Sequence, residues 1–303
     1  MARFGPLWRS FGGGAEVVKP SASSAFTPRS DNGVMAITAL HSAATGLRAL
    51  STRIDVVANN LANAETTAFK RSRVNFEDLM YLQLKQPGVT NAAGDLTPAG
   101  IYVGLGTRIS NTQIDLEQGS LENTARPLDV GIEGNGFFKV KILDSIGDGF
   151  GYTRNGNFFV NNQGDLVLGM GDGYKLQPPI QIPQGATDIS ISESRIVEVR
   201  RAGQDKAQRV GQLEVTQFIN PQGLRLLGGS IYVATEASGP PTDSRPGEDG
   251  AGVMLQGYLE SSNVDPVKEL VTLIKTQRAF ELNSQSIQTA DQALQTIGNL
   301  RRM

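Results

Sequence analysis

The side chains of this 303-residue sequence that could perform acid–base or metal chemistry are few and poorly arranged. His41 is the only histidine, so a Ser-His-Asp triad would depend on it, and no G-x-S-x-G nucleophile motif accompanies it. A zinc site of the HExxH type needs a pair of histidines. The sequence also lacks cysteine, which excludes disulfides, thiolate catalysis and zinc held by cysteines. These observations argue against a hydrolase or a zinc enzyme.

Carboxylates are the remaining candidates for catalysis. A pair of them could act as the acid and the base of a glycosidase, and several fall close together: Asp115, Glu117, Glu122, Asp129 and Glu133. The chain holds 30 acidic residues, however, so such a cluster is expected on solvated strands. We predict that the protein is not an enzyme.

The glycine-rich motifs are interpreted as turns. "GMGDGY", from Gly169, and "GLGTR", from Gly104, lack the third-glycine spacing and the following helix of a dinucleotide site, and no Walker A lysine occurs. "DSIGDG", from Asp144, has Ile146 where a calcium-binding loop needs an oxygen ligand. The sequence therefore predicts no cofactor and no metal ion.

An amide-rich stretch is the most unusual polar pattern. "VVANNLANAETTAFK", residues 56–70, places Asn59, Asn60 and Asn63 near the end of a helical pattern, although Asn is about 0.6 kcal/mol worse than Ala in a helix. Residues three and four apart share a helical face. One interpretation is that these amides pair with neighbouring copies of the chain, because a buried unpaired amide would reject a wrong register. The alternative is that they fray the helix end, with Asn63 as a left-handed terminal residue.

Two long helices are predicted, one near each end of the chain. The first begins near Thr38 and carries an apolar residue every three or four positions: Leu40, Ala43, Leu47, Leu50, Ile54, Val57 and Leu61. The second is capped by Asn263 or Asp265, with Pro266 in its first turn. Its seam is Leu273, Thr276, Phe280, Asn283, Ile287, Ala290, Leu294 and Ile297. Because each seam is narrow, neither helix is stable alone, and we expect them to pack as an antiparallel coiled coil.

The pattern between the helices is that of β-structure, with alternating apolar and polar residues and Asn-Gly turns. We predict an α+β fold in which the coiled-coil helices are joined by extended segments to a central all-β domain. The predicted segments are a lead at 1–34, the first helix at 35–66, an extended connecting segment at 67–110, the β domain at 111–235, a return linker at 236–262 and the second helix at 263–303. The lead lacks periodicity, so we expect it to be disordered or a misassigned gene start, with Met35 as the true start.

Four stretches resemble one protein family, the flagellar axial proteins that form rods and hooks. "ANNLANAETTAFK" at 58–70 is similar to the N-terminal signature, and "TQRAFELN" at 276–283 is similar to the C-terminal one, where the family usually has Tyr in place of Phe280. "PLDVGIEGNGFFKV" at 127–140 and "YTRNGNFFVNNQGDLV" at 152–167 resemble its central β region. The resemblance covers nearly all of 35–303. Chain length and the segment at 81–109 favour a distal rod subunit.

The resemblance implies a structural subunit of the flagellar basal body. Such subunits polymerise helically into a hollow shaft that spans the periplasm and transmits torque from the motor to the hook. The implied partners are further copies of the chain, other rod proteins, the hook protein, the type III export apparatus and the surrounding basal-body rings. Export by that apparatus uses no cleaved signal peptide, and no such peptide is evident in the first residues.

Neither nucleic acid nor membrane insertion is expected. The formal net charge is -2, so no basic field argues for nucleic acid, and no apolar run reaches about 18 residues. We expect subunit contacts at both helices and at the turn after the first one. The predicted assembly residues are Leu47, Leu50, Ile54, Val57, Asn59, Asn60, Leu61, Asn63, Phe69, Leu273, Gln277, Phe280, Asn283, Ile287 and Leu294.

Three alternatives remain open at this point. Within the family, the chain could be a proximal rod protein or a short hook protein. Outside it, a secreted β-rich adhesin or carbohydrate-binding module would use an aromatic platform, but the only tryptophan is Trp8 in the lead. A peptidoglycan-cleaving enzyme would need a catalytic pair that the sequence does not display.

Overall fold

A computed structural model describes residues 32–88, 96, 98–170, 172–201, 206–244 and 252–300. It shows helix α1 (Asn32–Ala62) and helix α2 (Pro266–Leu300) in contact with each other and, between them in the chain, a region rich in strands. The predicted α+β class is therefore confirmed. Of the expected lead at 1–34, residues 1–31 lie outside the described residues, and the last three begin helix α1.

Helix α2 begins where the sequence predicts, and Asp265 is its cap. Oδ1 of Asp265 accepts hydrogen bonds from the backbone N–H of Val267 (3.1 Å) and of Lys268 (3.2 Å), two donors that the first helical turn leaves free. The backbone bond from Lys268, followed by its ammonium group, holds the pKa of Asp265 below its ordinary value. Pro266 is the first helical residue, where a missing N–H costs nothing.

The two helices run antiparallel. The end of α1 contacts the start of α2, since Asn60 donates to Oε2 of Glu269 at 3.4 Å. Further along, a Cβ added to Gly46 of α1 would lie 3.0 Å from Nδ2 of Asn283 of α2. The end of α1 therefore lies against the start of α2, which is the antiparallel arrangement predicted from the narrow apolar seams.

Four strands follow α1 and form a ribbon beside it: β1 (Ser72–Asp78), β2 (Tyr81–Lys85), β3 (Ile101–Gly104) and β4 (Thr107–Ile114). Strands β1 and β4 pair antiparallel, and β2 pairs with β3. The ribbon is held to α1 by Ser42, which donates to the carbonyl of Gly104 (3.2 Å), and by the N–H of Thr107, which donates to Oγ1 of Thr45 (3.3 Å). The described part of the predicted connecting segment is therefore mostly paired strand.

The other strands build the β region. Their bounds are β5 (Leu121–Asn123), β6 (Val130–Glu133), β7 (Phe138–Lys141), β8 (Phe150–Thr153), β9 (Phe158–Val160), β10 (Leu166–Leu168), β11 (Lys175–Gln177), β12 (Ala186–Ile191), β13 (Ile196–Arg201), β14 (Gln208–Gln212), β15 (Val215–Gln217), β16 (Arg225–Gly228), β17 (Ile231–Val233), β18 (Thr242–Ser244), β19 (Val253–Gln256) and β20 (Tyr258–Glu260). A short 3-10 helix, Pro221–Gly223, precedes β16.

The largest sheet has seven strands in the order β16-β17-β8-β7-β11-β10-β9, and β12, β13 and β14 form a smaller sheet. The main apolar core lies between them and includes Val140, Leu176 and Val197. Three antiparallel pairs complete the region: β15 with β18, β6 with β19, and β5 with β20. The predicted return linker at 236–262 therefore contributes three strands, β18, β19 and β20, to this region, while the predicted segment boundaries stay predictions.

A second apolar cluster ties the ribbon to the β region. Ile114, the last residue of β4, is buried with Phe137, Tyr152, Phe218 and Tyr232 among others. The rings meet edge to face, with centroids 5.8 Å apart for Phe137 and Tyr232 and 4.7 Å apart for Tyr152 and Phe218. Such pairs add to the free energy of burial itself.

Candidate functional site

The helix pair buries only one side of each helix, and the predicted seam residues lie mostly on that side. Val57 and Thr276 are buried. Other members are half-buried: Leu47, Leu50, Ile54, Leu61, Leu273, Asn283, Ile287 and Leu294. Phe280 is 36% exposed, and Gln277, the residue after buried Thr276, is exposed.

Helix α2 also carries an apolar stripe that no other described residue of the chain buries. Val267 is 69% exposed and Leu282 is 64% exposed, and Leu270, Val271 and Ile274 are exposed between them. An exposed apolar surface of this kind is typical of a protein–protein contact. Val271 and Leu282 are not among the predicted assembly residues, although they lie on the same face of the helix as Ile274.

Gly46 allows the helices to approach closely. A methyl group there would crowd the amide of Asn283, which is half-buried. We therefore expect Gly46→Ala to gain little stability by itself, although the helix propensity of Ala exceeds that of Gly by about 0.8–1.0 kcal/mol.

The gain from Gly46→Ala should appear once Asn283→Ala has removed the crowding. A double-mutant cycle, read by the thermal unfolding of the helical circular dichroism signal, should give a coupling of about 0.5–1 kcal/mol. An equal effect of Gly46→Ala in both backgrounds would show that the close approach is not limiting.

The three asparagines have different environments. Asn60 is 2% exposed: its Nδ2 donates to the carbonyl of Ser72 (2.8 Å) and to Glu269, and its Oδ1 accepts from the N–H of Ser72 (3.0 Å). Asn60 thus joins α1, β1 and α2 inside one chain. Its predicted assembly role stays a prediction, but its amide nitrogen and its amide oxygen both already form hydrogen bonds within the chain.

Asn63 caps the end of α1. Its Nδ2 donates to the carbonyl of Asn59 (2.9 Å) and to Oδ1 of Asn59 (2.7 Å), and its Oδ1 accepts from Thr66 (3.1 Å). The left-handed conformation that the alternative interpretation gave to Asn63 is found at Ala68 instead, where φ is 57°. Among these amides, Asn59 remains exposed.

A groove of about 660 Å³ lies between the end of α1, the turn after it and the β16–β17 turn. Its lining includes Asn59, Asn60, Asn63 and Phe69, all of which are predicted assembly residues. The opposite wall includes Leu226 and the backbone of Gly228 and Gly229. The structure thus brings the amide cluster and Phe69 together on one concave surface.

An ionic network lies at the junction of the helix pair and the β region. Nζ of Lys70 is 2.5 Å from Oε1 of Glu260, and Nε of Arg154 is 2.6 Å from Oε2 of the same carboxylate. Lys70 is 2%, Arg154 4% and Glu260 1% exposed, so all three charges are away from water. Burial lowers the pKa of Lys70, and the nearby Glu260 opposes that change. The network was not predicted, because ion pairing between distant segments leaves no periodic pattern.

A second, more exposed ionic cluster lies beside the first. Nη2 of Arg71 is 2.7 Å from Oδ2 of Asp115, and Nη1 of Arg71 is 3.9 Å from Oε1 of Glu269, which lies in the first turn of α2. Lys70 therefore binds Glu260, which precedes α2, while the next residue, Arg71, binds two further carboxylates, one of them inside α2.

Asn263 reinforces the same junction instead of capping α2. Its Oδ1 accepts from the N–H of Arg71 (2.7 Å), and its Nδ2 donates to the carbonyls of Asp115 (2.8 Å) and Glu117 (3.1 Å). One side chain thus connects the start of α2 to the segments before β1 and after β4.

The pKa of Asp115 is lowered. Partial burial acts to raise it, but the hydrogen bonds from Arg71 and from the N–H of Glu117, together with the charges of Arg71 and Arg73, outweigh that effect. A depressed carboxyl pKa stabilises the fold at pH values above the ordinary value of 3.8, and this stabilisation is lost as pH falls through the lowered value.

We expect Asp115→Asn to make stability less sensitive to acid. Urea unfolding midpoints measured between about pH 7 and about pH 3 should fall less steeply for Asp115→Asn than for the parent chain, because the variant has no carboxylate to protonate. The variant should be the less stable protein at neutral pH. Parallel curves over the acid range would contradict the contribution assigned to this carboxylate.

The junction is ionic but shows no arrangement for metal chemistry. Within the described part of the chain, no group of three His, Asp or Glu side chains could hold a metal ion. In the same residues, no helix is long and apolar enough to cross a membrane. Two of the five carboxylates considered for catalysis are bound to other side chains. Asp129 is buried and accepts from the hydroxyl of Thr124 at 2.7 Å, and Asp115 pairs with Arg71.

Three family models match the chain, and each match contains one member of the buried ionic network. The model described as flagella basal body rod protein matches residues 40–70, which end at Lys70. The model for the flagellar hook protein FlgE/F/G D1 domain matches 131–199, which include Arg154. The model for the flagellar basal body rod FlgEFG protein C-terminal region matches 255–300, which include Glu260.

Several curated proteins are similar over almost their whole length. Flagellar basal-body rod protein FlgG of Caulobacter vibrioides is 44% identical over 264 residues, which are 87% of this chain and 99% of that protein. The protein of the same name from Buchnera aphidicola subsp. Baizongia pistaciae is 43% identical over 87% of this chain and 100% of its own length. The one from Borreliella burgdorferi is 41% identical over 87% of this chain and 98% of its own.

Proposed function

The chain belongs to the FlgG family of flagellar basal-body rod proteins, and from this premise we propose that it polymerises helically into the distal part of the rod, as a hollow shaft that carries torque from motor to hook. Membership makes the chain a non-enzymatic structural subunit of the basal-body rod. The observation that most supports a polymer is the exposed apolar stripe of α2, because a contiguous exposed apolar patch is typical of a protein–protein contact.

The contacts between subunits are proposed to use the outer faces of the helix pair and the groove at the end of α1. Gln277 is exposed on α2, close in sequence to Ile274 and Leu282, and Phe280 keeps 36% of its surface exposed. The groove presents Asn59 and Phe69. Because the groove and the stripe are different surfaces of one chain, a contact between them would be head-to-tail, and head-to-tail contacts that do not close into a ring generate helical polymers.

The seam residues are proposed to act indirectly. Leu47, Leu50, Ile54, Val57, Leu61, Leu273, Ile287 and Leu294 hold the two helices together, and the joined helices then present the outer surfaces. Burial of such side chains stabilises by roughly 1.5–3 kcal/mol each when it is complete. Since all of them except the buried Val57 are only half-buried in the single chain, neighbouring subunits would increase their burial.

The chain assembles within the basal body as a rod protein. We propose that its neighbours are further copies of itself, other rod proteins, the hook protein and the surrounding rings. We also propose that the rod spans the periplasm and that the subunit leaves the cell through the type III export apparatus without a cleaved signal peptide. The six predicted segments, including a dispensable lead at 1–34, remain part of this proposal.

The position in the rod can be tested by imaging. A tag inserted after Glu193, in the exposed turn between β12 and β13, should leave both helices untouched. In basal bodies isolated from cells that carry only the tagged chain, the label should cover the part of the rod nearest the hook. Label confined to the motor end would identify a proximal rod protein, and label along the hook would identify a hook protein.

A further inference from the structure

We propose that Lys70, Glu260 and Arg154 form a positioning joint, which fixes the direction of the helix pair relative to the β region. The inference concerns the geometry of the single chain. It therefore does not depend on the place in the rod proposed above.

The three residues belong to three different parts of the chain. Lys70 lies between α1 and β1, and Glu260 is the last residue of β20, shortly before α2. Arg154 follows β8, a central strand of the seven-stranded sheet. The joint therefore connects both segments that lead to the helices with the body of the β region.

The carboxylate of Glu260 is bound on both oxygens. Oε1 accepts from Lys70 and from the N–H of Gly119 (3.0 Å), and Oε2 accepts from Arg154. Hydrogen bonds that involve charged groups are shorter, stronger and more directional than apolar contacts. A rotation of the helix pair would have to break at least one of these bonds in a site from which water is excluded.

The two cations are held in turn by backbone carbonyls. Lys70 also donates to the carbonyl of Glu117 (2.5 Å), while Arg154 donates to those of Gly136 (2.9 Å) and Ile132 (3.1 Å). The guanidinium plane is thus fixed to the β6–β7 segment before it binds Glu260. Backbone carbonyls thus hold both cations in place, and both cations bind the same carboxylate. The network therefore fixes the orientation of the helix pair relative to the β region.

The apolar cluster around Ile114 crosses the same junction but does not specify direction in this way. Hydrophobic burial is non-directional, so an apolar cluster restricts the angle between two parts less strictly than hydrogen-bonded charges do. We infer that the apolar cluster holds the two parts together and that the ionic joint sets their angle. A rigid angle is what a subunit needs if it is to pass torque on without bending.

The angle can be measured in the full-length chain with a pair of spin labels. The natural sequence lacks cysteine, so Gln288→Cys on the exposed face of α2 and Glu198→Cys on β13 provide two unique attachment points. Pulsed dipolar spectroscopy then reports the distribution of distances between the labels in the monomeric chain. Glu260→Gln, which keeps the shape and removes the charge, should broaden that distribution.

Two further variants separate positioning from mere stabilisation. Lys70→Met combined with Glu260→Gln removes the unpaired lysine charge and should recover stability, but the distribution should stay broad because the directional bonds are absent. Asp165→Asn breaks a pair with Lys175 (2.6 Å) that lies wholly within the β region, so it should lower stability without broadening the distribution.

An unchanged distribution in Glu260→Gln, with circular dichroism showing a folded chain, would overturn the inference. So would a distribution as narrow as the parent's in the Lys70→Met/Glu260→Gln chain. Equal broadening in Asp165→Asn would show that any loss of stability loosens the molecule, and the inference would fail in that case as well.

Discussion

Replacing Glu260 with Gln should lower the free energy of unfolding by about 3–5 kcal/mol, the cost found when one partner of a buried ion pair is removed. Among the residues that the structure describes, Glu260 is the only acid paired with the two buried cations Lys70 and Arg154. Without its charge, both cations would remain in a site that excludes water. The loss is a large fraction of the total stability of an ordinary domain, which is about 5–15 kcal/mol.

Chemical unfolding of the full-length chain, followed by circular dichroism, would measure this loss. Glu281→Gln is the matched control, because Glu281 pairs with Arg278 on the surface of α2 and both side chains are largely exposed. An exposed pair of this kind contributes at most about 1 kcal/mol. Similar losses from the two substitutions would contradict the special role of the buried network.

A double-mutant cycle would show where the cost of Glu260→Gln arises. If it comes from the unpaired ammonium of Lys70, then adding Lys70→Met should recover part of the stability, since an apolar side chain of similar length needs no counter-charge. If Lys70→Met instead adds a further full loss, the lysine contributes independently of the carboxylate.

Replacing Ile287 with Asp should abolish swimming, because no rod should form. Ile287 is half-buried in the seam between α1 and α2. The substitution removes apolar burial worth up to roughly 1.5–3 kcal/mol and places a charge in a contact from which water is largely excluded. A polymer repeats the defect in every subunit, so even a modest loss per subunit prevents assembly.

Motility on soft agar and electron microscopy of basal bodies would give the result. We expect cells with no hook and no extended rod, while the β region of the purified chain keeps its strand signal in circular dichroism. That region has its own apolar core, which Ile287 does not contact. Gln288→Asp serves as a control for the charge, since Gln288 is the exposed neighbour of Ile287.

Gln288→Asp adds the same charge outside the seam and should leave the helix pair intact. Normal swimming in a strain with Ile54→Asp together with Ile287→Asp would disprove the role given to the seam, because both helices would then carry a charge at it. Loss of the strand signal in Ile287→Asp would show instead that the helix pair is needed to fold the β region.

The amino-acid sequence alone determined the two helices, their antiparallel pairing and the rod protein family. Apolar residues at three- and four-residue spacing define a seam whatever the rest of the chain does, because the period of the α-helix is a local property. Asp265 and Pro266 marked the start of α2 for the same reason, since a cap acts on the next few backbone groups.

The tertiary structure alone decided what each polar residue does. Asn59, Asn60 and Asn63 share one residue type and one stretch of helix, yet Asn59 is exposed, Asn60 is buried against β1 and α2, and Asn63 caps α1. Their roles depend on which segment packs beside them, and that segment is distant in the sequence. Phe280 likewise shares the spacing of the seam residues, yet it stays 36% exposed while Thr276, one turn earlier, is buried.

The buried network is the clearest case of such a non-local feature. Lys70 and Glu260 are 190 positions apart, and Arg154 lies between them. Any of the 28 basic residues could in principle face any of the 30 acidic ones. The pairing of β5 with β20 and the packing of the ribbon on the β region bring these particular charges together. The sequence could not indicate this, because a charged residue carries no information about which distant charge will be buried beside it.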